Sequence, residues 1–406
     1  MKKIIFALAA GLAASAAFAQ MSLRQTPDAI VVTSSGHPGY RIKLDLKQSG
    51  VATEFCIPAH GPNYIGQEGG QGGLFGLYVQ GGSKGVAPPD GDTYGERTVV
   101  KGDGVLDHFS VVTQTPAEIV VALQGHASGW GTYSRTGETF IDYKSQLTFE
   151  ANRIIDDGSV TWVCGHHTAP DYIDLDNMFA PYSVRWPVRL VRPDGRPQEL
   201  RLADNDEIPY PAGITNPVTA QIWFHDGRCL LFRTLETPAD WVSHPWLTYE
   251  HPWLTHWRLS FAFTNDPAIW QPTHTPVHYR YEVEIPAKAP ANPPPDVYIV
   301  SPPRAANFFK DDPLDRYSGL QFKVGDVVRF AAIAKDAKGG CLPDSAFHWS
   351  INWGERVPPH VAATGTGSQI FFTVPPADVG SYWIEVSARD SQGFTGEDYI
   401  TFKVVR

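Results

Sequence analysis

The chain reads as an all-β protein, a large antiparallel β-sandwich followed by a smaller one. Three observations lead there. Helix-period apolar patterns are nearly absent after residue 20. Short alternating or apolar runs recur in their place. Gly, Pro, Asp and Asn fall between those runs, which is the punctuation of antiparallel strands joined by turns.

The first segment stands apart from the fold. Lys2 and Lys3 form a basic start, Ile4 to Ala16 is apolar, and Ala17-Phe18-Ala19 is a small-x-small cleavage site before Gln20. Residues 1–19 therefore read as a signal peptide. The apolar run is too short for a membrane span, no later stretch is longer, and no Cys follows the cleavage site. The expectation is an exported protein, periplasmic or extracellular, with a soluble mature chain that starts at Gln20.

Strands are expected at Ile30–Thr33, Tyr40–Leu44, Phe109–Val112, Glu118–Leu123 and Lys144–Phe149. Asp156-Asp157-Gly158, Asp194-Gly195 and Asp226-Gly227 read as turns between them. Residues 66–91 are Gly-rich and read as a loop. With no helix after it, that loop is not a phosphate cradle.

Composition narrows the classes further. Net charge is −10 and no Lys/Arg-rich run occurs, so a nucleic-acid partner has no electrostatic footprint. Twelve Trp accompany sixteen Tyr, a balance that suits stacking surfaces on an exported β-protein and equally suits a large core. The four Cys (Cys56, Cys164, Cys229, Cys341) permit three full pairings. Their spacings match neither a zinc finger nor a redox motif. An oxidising compartment allows a bridge without requiring one.

A Pro/Ala run marks a boundary. Residues 289–295 read Ala-Pro-Ala-Asn-Pro-Pro-Pro, a semi-rigid extended spacer between strands Tyr279–Ile285 and Val297–Val300. It divides residues 22–288, a carbohydrate-active candidate, from residues 296–406, an accessory unit. In the second unit Phe347-His348-Trp349 offers an inward Trp, and Asp378-Val379-Gly380-Ser381-Tyr382 has the Asp-x-Gly-x-Tyr corner pattern, with Ile384 beyond it. Asp336 to Gly339 and Asp390 to Gly393 end two strands alike: each Asp can bond the turn backbone and each Gly permits a positive φ. On these residues the unit resembles an immunoglobulin-like sandwich of the polycystic-kidney-disease type, and its length fits one. Trp353-Gly354-Glu355 matches that family's Trp-x-x-Gly-Asp-Gly signature only loosely. Nothing in the unit looks catalytic.

The first unit has a different likeness. Val105-Leu106-Asp107-His108-Phe109-Ser110-Val111-Val112 leads to Glu118–Leu123, then Tyr143–Glu150, then through Asp156-Asp157-Gly158 to Val160-Thr161-Trp162-Val163. This strand order resembles the galactose-mutarotase-like supersandwich of polysaccharide lyases and mutarotases. The resemblance implies a sugar-processing site, and for lyases it implies Asn, His, Arg and Tyr as working groups. It supplies no residue-by-residue motif.

Four constellations carry candidate chemistry. The first is a tandem repeat over 244–257, His-Pro-Trp-Leu-Thr-Tyr-Glu then His-Pro-Trp-Leu-Thr-His-Trp. It gathers His244, His251 and His256 beside Trp246, Tyr249, Trp253 and Trp257, with Arg258 adjoining. Aromatic faces stack on sugar rings and imidazoles move protons near neutral pH; core packing of the Trp residues is the competing reading. The second is Cys164-Gly165-His166-His167-Thr168-Ala169-Pro170-Asp171-Tyr172-Ile173-Asp174-Leu175-Asp176-Asn177. Two imidazoles and three carboxylates there could serve acid–base work, hold hydroxyls or bind a divalent metal. Nothing in the sequence requires a cofactor. The third is an Arg set, Arg185, Arg189, Arg192, Arg196 and Arg201, in which even spacing puts Arg185 and Arg189 on one strand face, either as anion clamps or on an exposed edge. The fourth is His60-Gly61-Pro62-Asn63-Tyr64, a loop that holds polar groups or a turn with a packed Tyr.

These patterns point to an enzyme acting on a polysaccharide or oligosaccharide, with elimination from an anionic glycan as the leading chemistry. His251 or His256 is then base, Tyr249 acid, and Arg258 or Arg185 the carboxylate clamp. His166 and His167 are further proton-transfer candidates; His244, Trp246, Trp253, Trp257, Asn63, Tyr64, Asp171 and Tyr172 are expected to contact substrate. A glycan-binding protein without turnover and a structural, adhesin-like exported protein are the alternatives. No Gly-x-Ser-x-Gly elbow occurs, which removes the α/β-hydrolases.

Overall fold

The computed structural model describes residues 20–65, 73–81, 97–101, 104–128, 139–163, 170–179, 184–191, 194–201, 219–236, 242–248, 257–264, 276–303, 320–353, 360–376 and 380–406. It is an all-β molecule. The strands begin with β1 (Met21–Gln25), β2 (Ala29–Ser34), β3 (Tyr40–Asp45), β4 (Val51–Cys56), β5 (Gly76–Gly81) and β6 (Arg97–Lys101). A long meander follows: β7 (Val105–Gln114), β8 (Ile119–Ser128), β9 (Thr139–Phe149) and β10 (Arg153–Trp162). Next come β11 (Pro170–Phe179), β12 (Val184–Val191), β13 (Pro197–Leu200), β14 (Thr219–Phe224), β15 (Cys229–Glu236), β16 (Val242–Thr248), β17 (Trp257–Thr264) and β18 (Val277–Glu284). The C-terminal strands are β19 (Asp296–Ser301), β20 (Gln321–Lys323), β21 (Val327–Lys335), β22 (Phe347–Trp353), β23 (His360–Thr366), β24 (Gln369–Thr373), β25 (Gly380–Arg389) and β26 (Thr395–Val405).

Alternation decides which face is buried. Along β3, Tyr40, Ile42 and Leu44 are buried while Arg41, Lys43 and Asp45 are not, the period of two that a half-buried strand requires. The same rule puts Ile119, Val121 and Leu123 of β8 and Leu147 and Phe149 of β9 into one large apolar cluster with Trp186, Phe224, Phe232 and Tyr281. Four strands, β1 to β4, form one sheet of this part. The meander joins β18, β15, β14 and β12 in a second, and β16, β17, β11, β5 and β6 form a third in that order.

The Asp156-Asp157-Gly158 segment is not a turn. It lies inside β10, paired with β9 and β18 on its two sides. Asp156 is buried and accepts a hydrogen bond from the Ser145 hydroxyl. Gly158 is there for space: a Cβ on it would meet the Tyr279 ring at 2.3 Å. The chain reverses instead at Glu150–Arg153, where the Glu150 amide donates to the Arg153 carbonyl. Asp194-Gly195 and Asp226-Gly227 are turns as expected, with φ of +79° and +85° at the glycines. The Gly-rich stretch is not loop throughout, because β5 runs through residues 76–81.

The C-terminal strands enclose a second apolar cluster, in which Trp349, Ile351, Tyr382, Ile384 and Phe402 are buried. Tyr382 stacks on Phe402 with ring centroids 5.4 Å apart. Both Asp-to-Gly turns form as the sequence implies. Asp336 accepts from the amides of Lys338 and Gly340, Asp390 accepts from those of Gln392 and Phe394, and Gly339 and Gly393 have positive φ.

The segment before β19 is held at its C-terminal end. Pro294 and Pro295 are buried, and the Asn292 carbonyl accepts from the Arg189 guanidinium at 3.0 Å. Beside it the sheets meet: β26 lies next to β12 through the pair Glu397–Trp186. Tyr399 of β26 belongs to the first apolar cluster. Cys56 and Cys229 are buried free thiols, and Cys341 is exposed and free.

Candidate functional site

The five-stranded sheet brings two sequence-distant motifs together. One is the first half of the tandem repeat, on β16, followed by Trp257 and Arg258 on β17. The other is the acidic segment on β11. In register, His244 faces Ala262, Ala262 faces Asp174, and Asp174 faces Tyr78. The next row on the same face is Trp246, Ser260, Asp176 and Gly76. Thr248, Arg258 and Met178 follow on one side, and Val242, Thr264, Tyr172 and Gln80 on the other.

The rows between belong to the opposite face, since positions alternate along every strand. They read Ser243, Phe263, Ile173, Val79; then Pro245, Phe261, Leu175, Leu77; then Leu247, Leu259, Asn177. Those positions are almost wholly apolar in sequence, and the alternate positions hold Asp174, Asp176, His244, Arg258, Trp246, Tyr78 and Tyr172. Trp257 pairs with Phe179 on the apolar face, so the register separates it from Trp246.

The remaining candidates divide. Asp171 sits at the bulge between Pro170 and Tyr172. His166, His167, Tyr249, His251, Trp253 and His256 lie outside the described residues.

Three expected substrate contacts have partners within the fold. Arg185 is not open to a ligand: its Nε lies 3.4 Å from Asp296 Oδ1 and its Nη2 donates to the His225 carbonyl at 3.2 Å. Arg185 and Arg189 do share a face, as their spacing requires, but the C-terminal segment covers it, with the Arg189 guanidinium 5.3 Å over the Phe394 ring. Tyr64 is buried, its ring 4.1 Å from Phe224. Its hydroxyl donates to Asp226 and accepts from Arg228 at 2.7 Å. Burial, then the Asp226 contact, pushes its phenol well above the ordinary range, so it stays protonated. Asn63 accepts from the amides of Phe55 and Ile65 and fixes the loop.

Among the described residues no group of three His, Cys, Asp or Glu side chains comes together to hold a metal ion. No described helix is long and apolar enough to cross a membrane. Sequence reasoning missed Tyr78 and Gln80 because β5 lies in a Gly-rich stretch. Alternation over Leu77, Tyr78, Val79 and Gln80 is the signal that could have found them.

No protein-family model matches the chain, and no curated protein sequence matches it. Solved structures with some likeness exist. A candidate aldose 1-epimerase of Escherichia coli K12 is 12% identical, over 66% of this chain and 99% of its own, with a TM-score of 0.35. A candidate mutarotase of Salmonella typhimurium is 11% identical over 66% of this chain and 93% of its own, with a TM-score of 0.34. A Synechocystis protein is 12% identical over 71% of this chain and all of its own, with a TM-score of 0.32. Likeness at that level assigns no function.

Proposed function

We propose that this is an exported carbohydrate-active enzyme whose site is the polar face of the β16-β17-β11-β5-β6 sheet. The observation that carries the reading is the register: two motifs far apart in sequence place His244, Trp246, Arg258, Tyr172, Asp174 and Asp176 on one face of three adjacent strands. A sugar needs an aromatic platform, hydroxyl acceptors and a proton-transfer pair, and this face supplies each type.

The leading chemistry is β-elimination from a uronate. Arg258 neutralises the substrate carboxylate, which acidifies the neighbouring C5 proton. An imidazole, from His244 or from His251 or His256 in the adjoining segment, takes that proton. The C5–H electrons form the C4=C5 double bond as the C4–O bond breaks, and a phenol, Tyr172 or Tyr249, returns a proton to the leaving oxygen. With Arg185 occupied by Asp296, Arg258 is the clamp of choice.

Incubation with a panel of uronate polysaccharides tests this. New absorbance of an unsaturated uronate, lost in Arg258→Gln, is the expected result. Binding without product would make the protein a lectin-like module. Neither binding nor product would remove the carbohydrate reading.

A further inference from the structure

A second polar track runs over the opposite part of the molecule. His108, Gln124, Lys144, Ser159 and His278 stand in one unbroken register row across β7, β8, β9, β10 and β18. Their strand neighbours Leu123, Tyr143, Val160 and Tyr279 point the other way, into the apolar cluster. The row lies on the outer face of the large sheet. With Gln146 and Asp157 it lines an open groove of about 390 Å³.

Charge in this groove is unevenly paired. Asp157 lies 3.7 Å from the Arg280 guanidinium, and in the row beyond, Asp107 is 2.8 Å from His126. Asp142 is exposed on the same strand face, two positions from Lys144. The Lys144 side chain, at the centre, forms no ion pair with any described residue, and the side chains of His108, Gln124 and His278 form no hydrogen bond with one. The row itself contains no carboxylate.

Its shape selects a class of ligand. Five strands at the usual spacing make a track about 19 Å long, crossing the strands and open at both ends. A small anion would want converging donors; an extended chain suits a linear row. Amides and a hydroxyl match sugar hydroxyls, and a central ammonium, with an imidazole at each end of the row, matches a carboxylate or sulfate. We infer that this outer face is an accessory binding track for an acidic glycan chain, with Lys144 as its charge anchor. The choice of a glycan rests on the function proposed above; the anion-binding row does not.

The test uses the full chain and titration calorimetry with two probes, a galacturonate oligosaccharide and its carboxyl-reduced, neutral counterpart. Lys144→Gln should weaken the acidic probe about tenfold, the loss of one charge-assisted hydrogen bond, and leave the neutral probe and the melting temperature unchanged. His108→Gln with His278→Gln should weaken both probes. An acidic probe that binds the Lys144→Gln protein as tightly as the parent, or fails to bind the parent, overturns the inference. The two readings fail separately. Loss of turnover in Arg258→Gln with normal binding in Lys144→Gln sinks only the track. Weak acidic binding in Lys144→Gln with turnover unaffected by Arg258→Gln sinks only the site on the smaller sheet.

Discussion

His225 Nδ1 lies 2.7 Å from Asp296 Oδ1. The imidazole belongs to the turn between β14 and β15, and the carboxylate opens β19, so this pair and the adjoining Arg185 fasten the C-terminal strands to the sheet before them. All three side chains are largely buried. The Tyr298 ring covers the imidazole at 4.3 Å.

Asp296→Asn removes the one anion of this cluster and leaves a guanidinium without a countercharge. Breaking a buried pair this way costs about 3–5 kcal/mol. The expected outcome is a large drop in the urea midpoint. A midpoint within error of the parent would show that the cluster is wetter than its exposure indicates.

Gly158→Ala should destabilise the protein although the backbone there is ordinary strand. The added methyl meets the buried Tyr279 ring and the Lys144 carbonyl, an overpacking cost of about 1–3 kcal/mol or more. Pairing it with Tyr279→Phe, which trims the hydroxyl at the clash, should recover part of the loss. No recovery would place the strain at the backbone contact.

Alkali should unfold the protein earlier than a surface-tyrosine protein. Burial pushes Tyr40, Tyr64, Tyr143 and Tyr279 upward, and burial, then Asp296, pushes Tyr298 up to about 12. The folded state thus holds protons that the unfolded chain releases near the ordinary value of about 10. Stability from these groups is whole below that pH and drains away as pH rises toward the folded value. Denaturation midpoints across this window should fall, and Tyr298→Phe should fall less steeply.

On the proposed site, His244→Gln and Tyr172→Phe should lower glycan turnover by about 100-fold with melting unchanged, measured on one preparation of each. Trp253→Ala should weaken glycan binding by about 1–3 kcal/mol if the tandem repeat forms a sugar wall, and cost about 3–5 kcal/mol of stability if that indole is core. Melting and binding on the same sample separate the two.

Much of the fold was legible because alternation is local. Tyr40, Ile42 and Leu44 announce a buried face within one strand, and Asp336 and Asp390 announce their turns within four residues. Asp156-Asp157-Gly158 misled for the same reason: its composition is that of a turn, while the need for Gly158 comes from Tyr279, far along the chain. The candidate site was half legible. Both motifs stood out by residue type, but their meeting depends on β11 pairing with β17, a long-range register that no local spacing encodes. Arg185 looked like a clamp because its partner, Asp296, lies beyond the Pro-rich boundary.

The seam between Glu397 and Trp186 has a consequence for biogenesis. In a chain made from its N-terminus, β12 emerges long before β26 exists to lie beside it. Until then the flank of β12 near Trp186, and the place that Tyr399 fills in the first core, stand uncovered. An open strand flank is a template for pairing with another chain. The last strand is thus a lid on the nascent first half as well as a member of the second, and a translation product stopped before Thr395 would carry two defects at once.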